Sequence, residues 1–78
     1  MFHESIKVNE FLVKDNPGFR MRVQAWEVAS PKGLYSLDFI QESKDSDGEI
    51  IGTQTYNFFM TADEISKLCE GLQNASKS

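Results

Sequence analysis

The sequence predicts an α+β fold: a four-stranded antiparallel meander followed by one C-terminal helix packed on one face of the sheet. Three observations carry this expectation. Apolar and polar residues alternate at period two through several runs. Turn signals separate those runs at 15–18, 30–33 and 44–48. Only the segment after Thr61 shows helical spacing, and it opens with a helix-start signature.

The first strand spans residues 5 to 14, with Ile6, Val8, Phe11, Leu12 and Val13 apolar. Its alternation breaks near Glu10, which predicts a bulge or an edge strand. Asp15-Asn16-Pro17-Gly18 then turns the chain, because Pro pre-sets φ and Gly tolerates positive φ. Residues 19 to 28 form the second strand. Phe19, Met21, Val23 and Ala25 share one face; Arg20, Arg22, Gln24 and Trp26 share the other. Ser30-Pro31-Lys32-Gly33 is the next turn.

In the third strand, residues 34 to 43, Tyr35, Leu37 and Phe39 point one way. Ser36, Asp38, Ile40 and Glu42 point the other. Asp47-Gly48 marks a hairpin corner. Residues 49 to 60 form the fourth strand, where Gly52 suggests a bulge. Ile50, Tyr56, Phe58 and Met60 fall on one side, with Ile51, Thr53, Thr55, Asn57 and Phe59 on the other.

Thr61 and Glu64 have capping-box spacing, so the helix is expected from about Ala62 to Asn74. Ile65, Leu68, Cys69 and Leu72 make one apolar stripe. That stripe is expected across the Phe19/Val23/Leu37/Phe39 face.

Seventy-eight residues make one domain, ordered over about 5–73 with a frayed polar tail at 74–78. A chain this short has marginal stability alone, and a homodimer would help. The net charge is −4. Residues 1 to 33 carry five basic and four acidic residues; residues 34 to 78 carry three and eight. This small acidic protein therefore lacks the overall basic surplus that drives phosphate binding, and a nucleic-acid role would rest on a local patch. Cys69 is the single cysteine and His3 the single histidine, which excludes an internal disulfide and the common structural zinc sites. No signal peptide or membrane-spanning stretch is visible, so a cytoplasmic protein is expected, with no membrane partner.

The outward line Arg20, Arg22, Gln24 and Trp26 interleaves cations with an aromatic, a pattern that holds phosphates and stacks bases. Its plainer reading is cross-strand pairing with Asp38 and Glu42. Trp26, Ile40 and Phe59 also face outward and suggest an apolar interface patch. Asp45, Asp47 and Glu49 resemble part of a calcium loop, but Gln54 stands where the closing carboxylate belongs, so a hairpin turn is the better reading. Cys69, on the helix stripe, reads as a small buried hydrophobe, because His3 is its only imidazole candidate. No serine has a convincing base, no carboxylates form a secluded pair and no glycine-rich phosphate loop is present. The chain therefore reads as a non-enzyme without a cofactor.

With this element order in hand, the chain resembles the positive-cofactor-four type of transcriptional coactivator. The resemblance is closest over residues 34 to 72: strand three from Tyr35 to Glu42, the Asp45–Glu49 turn, the Phe58-Phe59-Met60 triplet, and the helix opening Thr61, Asp63 and Glu64. Tyr56-Asn57 replace the family's Lys-Gly pair, and Ile40 or Gln41 stands where a basic residue is usual. The resemblance implies a homodimeric single-stranded-DNA-binding protein in transcription regulation. It assigns Arg20, Arg22 and Trp26 to the ligand, with Lys7 and Lys14 as flanking phosphate contacts. The alternative is a protein-binding module or inhibitor of the small acidic phage or prophage type, acting through the outer sheet face.

Overall fold

A computed structural model describes residues 4–77. Four antiparallel strands lie in sequence order and a C-terminal helix comes after them. The elements are β1 (Ser5–Asn16), β2 (Phe19–Val28), β3 (Leu34–Lys44), β4 (Ile50–Thr61) and α1 (Ala62–Ser76). The α+β meander expected from the alternation is therefore present.

Local chemistry accounts for the turns. Pro17-Gly18 forms the two-residue connection between β1 and β2, and the Lys44 amide donates to the Gly18 carbonyl at 3.1 Å. At the third turn the Asp45 carboxylate accepts from the amides of Asp47 and Glu49, both at 2.9 Å. Gly48 has φ +84, which a side chain would strain. The suspected calcium fragment is thus a hairpin corner whose first carboxylate is committed to backbone.

β1 carries two irregularities. Lys7 faces Trp26 and Asn9 faces Ala25, so Val8 is an extra residue; Val13 is extra between Leu12 and Lys14 in the same way. The Val13 bulge reverses the facing of the residues after it. Lys14 becomes the partner of Met21 and its ammonium lies over the Phe19 ring, 5.5 Å from the centroid. Gly52 lies beside a third irregularity, where Ile51 is the extra residue. From Gly52 to Thr61 the β3–β4 register is unbroken.

β4 runs into α1 with no linking residue. Thr61 ends the strand and is also the N-cap, in extended conformation at φ −77 and ψ 165. Both capping-box bonds form: the Glu64 amide donates to Thr61 Oγ1 at 3.2 Å, and the Thr61 amide donates to Glu64 Oε1 at 2.9 Å. The helix continues past the expected end at Asn74 to Ser76, where the Ser76 hydroxyl donates to the Gln73 carbonyl at 2.8 Å and Lys77 caps the end.

The core is thin. Among the described residues the buried apolar side chains are Val23, Val28, Leu37 and Ile40. No residue of α1 is buried. The stripe Ile65, Leu68, Cys69 and Leu72 faces the inner sheet surface across an open space rather than sealing it. The molecule is a slab of 43 × 42 × 16 Å with a radius of gyration of 14.9 Å. A compact chain of this length would have about 11.5 Å. Among the described residues, no helix is long and apolar enough to cross a membrane.

Candidate functional site: an apolar groove and a neutralised outer face

The two faces of the sheet differ in chemistry. The inner face and the helix enclose a groove of about 620 Å³ whose lining is entirely apolar. β1 supplies Val8, Phe11 and Val13, two of them placed there as bulge residues. β2 supplies Met21, Val23 and Ala25; β3 supplies Tyr35, Leu37 and Phe39. The helix closes one side with its stripe. Phe39 and Phe58 meet edge to face at 5.7 Å. Phe19 keeps the face that alternation gives it but lies beyond the groove, beside a smaller hollow lined by Gln41, Ser43, Thr53 and Gln54. Much of the groove is wet: Phe11 is 48 % exposed, Leu68 39 % and Leu72 62 %. Cys69 is an exposed free thiol on the groove wall rather than a buried hydrophobe. Its suggested imidazole partner, His3, lies outside the described residues.

The outer face is a web of ion pairs. The register places Arg20 opposite Glu42, Arg22 opposite Ile40 and Gln24 opposite Asp38. Glu42 Oε1 accepts from Arg20 Nε at 2.8 Å and from Arg22 Nε at 3.2 Å. Glu42 is only 6 % exposed, so this pairing is screened less than an ordinary surface bridge. Arg20's hydrogen bond is the main influence holding the Glu42 carboxyl below its usual pKa, burial opposes it, and Arg22 adds a second downward pull. The same bond raises Arg20 further. Across the sheet, Glu10 collects Arg22 Nη1 at 3.3 Å, Gln24 Nε2 at 3.2 Å and Lys7 Nζ at 2.8 Å. Its carboxyl is lowered, first by Lys7 and then by Gln24. Lys44 pairs with Asp15 and lowers it likewise.

The predicted binding line is therefore brought together but not left free. Arg20, Arg22, Gln24 and Lys7 share one face, and each is bonded to a carboxylate. Lys14 departs from the line, since the Val13 bulge turns it toward Phe19 on the other face. Asp38 was expected to pair with arginine; it binds Asn57 Nδ2 at 2.7 Å instead. Asn57 also donates to Ser36 Oγ at 2.7 Å, which ties β4 to β3.

The predicted patch is also redrawn. Ile40 is buried, only 7 % exposed, and is flanked in register by Arg22 and Thr55, so it adds almost nothing to an outer patch. Trp26 and Phe59 flank Ser36 in one cross-strand row. Phe59 is 61 % exposed, whereas Trp26 is half-buried. The Trp26 indole Nε1 is buried and finds no hydrogen-bond partner among the described residues, and Lys7 Nζ lies 5.9 Å from the ring centroid. Sequence alternation does not mark the groove as a site. Its signal in the sequence is an apolar stripe and an apolar sheet face, a pattern that a sealed core shares.

No family model, no curated protein and no solved structure matches this chain.

Proposed function

We propose that the chain is a non-enzymatic protein-binding module whose working surface is the apolar groove between the sheet and α1. The observation that carries this reading is the groove's wholly apolar lining, left half-exposed. Contiguous apolar surface of this extent marks an interaction site. A groove with no polar anchor suits the apolar side chains of another protein better than a charged ligand.

Thiol labelling of Cys69 tests this, with uptake of the dye anilinonaphthalenesulfonate as a second readout. An occupied groove shields Cys69, and an open one binds the dye. Leu72→Lys should abolish whichever of the two the wild type displays. Shielding that persists at every dilution and survives Leu72→Lys would remove the reading, because the groove would then be closed by its own helix.

The second reading is a single-stranded nucleic-acid binder of the coactivator type. What favours it is the alignment of Arg20, Arg22, Gln24 and Trp26 on one face with Lys7 beside the indole. The balance falls against it because Glu42 and Glu10 already occupy those cations, and a phosphate would have to displace them. Fluorescence anisotropy with a labelled oligonucleotide separates the two. Tight, salt-sensitive binding that Arg20→Glu with Arg22→Glu abolishes would reinstate the nucleic-acid reading.

A further inference from the structure

The groove has an occupant that the chain itself can supply. Resting on the protein-binding reading above, we propose that a second copy of this chain pairs along the free edge of β4 and completes the apolar basin.

A compact monomer of 8.9 kDa exposes about 4,800 Å². This chain exposes 5927 Å². The excess of roughly 1,100 Å² per protomer, or about 2,200 Å² for a pair, falls in the range that obligate homodimers bury.

The two sheet edges differ. β1 is a guarded edge: it carries Lys7, Glu10, Lys14 and Asp15, and two bulges interrupt it. Such charges and bulges keep an edge from pairing. β4 has none of these guards beyond its first residues. Its twelve residues contain no charge and no proline, and its register is regular from Gly52 onward. Every residue of β4 except Met60 is exposed. It is an open template for another strand.

The helix is held away from its own sheet. β4 and α1 share Thr61, and the capping box fixes the helix direction there. No linker residue lets α1 swing down onto the sheet without breaking that cap. A second copy has no such constraint. Antiparallel pairing of β4 with itself places the two-fold axis perpendicular to the sheet. Both apolar faces then lie on the same side, where the two helices border one joint basin.

Sedimentation over a roughly hundredfold dilution range tests the proposal, since a dimer's fraction falls with concentration. Thr55 sits near the middle of β4 and is exposed. Like charges placed opposite one another across a strand pair repel. Wild type should be dimeric, while Thr55→Lys and Thr55→Glu should each be monomeric. Mixing the two variants should restore a heterodimer, an outcome that a merely misfolded variant cannot give. Thr53→Lys, at another exposed site in the regular part of the strand, provides a second break. Dimers that persist in the single Thr55 variants would overturn the β4 seam. A wild-type monomer with reactive Cys69 and bound dye would overturn the second copy while leaving the groove as a surface for another protein. A wild-type monomer with shielded Cys69 and no dye would overturn both.

Discussion

Replacing Leu72 with alanine separates a groove closed by a partner from one closed within the chain. Leu72 is 62 % exposed in the lone protomer. Fully covering a leucine contributes about 1.5–3 kcal/mol. Covering what remains exposed is therefore worth about 1–2 kcal/mol per protomer, or about 2–4 kcal/mol per dimer. At about 1.4 kcal/mol per decade, Leu72→Ala should weaken dimerisation roughly 30- to 700-fold. In dilute solution the same change should cost less than about 1 kcal/mol, as a mostly exposed side chain does. Sedimentation equilibrium gives the dissociation constant, and thermal melts at two protein concentrations give the stability. An equal loss at both concentrations would mean that the sheet of the same chain covers Leu72. An unchanged dissociation constant would place the helix stripe outside the interface.

Three further predictions concern the fold. Glu42 has a depressed pKa when folded, so its pairing contributes stability above the unfolded value near about pH 4 and loses it as pH falls through the folded value. The melting temperature should be flat from neutral to weakly acidic pH and then fall; Glu42→Gln should lower the neutral value and make the acid decline shallower, with Glu10 and Asp15 supplying what slope remains. Thr61→Ala removes the helix cap and should cost about 1 kcal/mol, read as lost helicity by circular dichroism together with a lower melting temperature. Gly71→Ala should stabilise the helix by about 0.8–1 kcal/mol, because a Cβ there meets nothing within 4 Å; a lower melting temperature in dilute solution would contradict it.

Much of the fold was legible because its determinants are local. Period-two alternation separates Val23 from Arg22 whatever the rest of the chain does. Thr61 and Glu64 form their reciprocal bonds across three residues, so spacing alone announces them. The candidate site depended on non-local facts. Which carboxylate bonds Arg20 depends on a register set by the β2–β3 turn, and the answer is Glu42, with Asp38 going to Asn57. The facing of Lys14 depends on a bulge at Val13, and an apolar run such as Phe11-Leu12-Val13 does not reveal which residue is extra. The helix stripe was readable as apolar, but its distance from the sheet is set by the direction in which the chain leaves β4.

The absence of any spacer between Thr61 and Ala62 makes that joint a rigid hinge. Elements joined by too short a connector find their packing on a neighbour, and a longer connector lets them return home. Inserting a few flexible glycine and serine residues at that joint should let each tail segment fold back over its own ribbon. The apolar face would then be covered within one subunit, and Cys69 shielded at every dilution, while the β4 edge stays as it is.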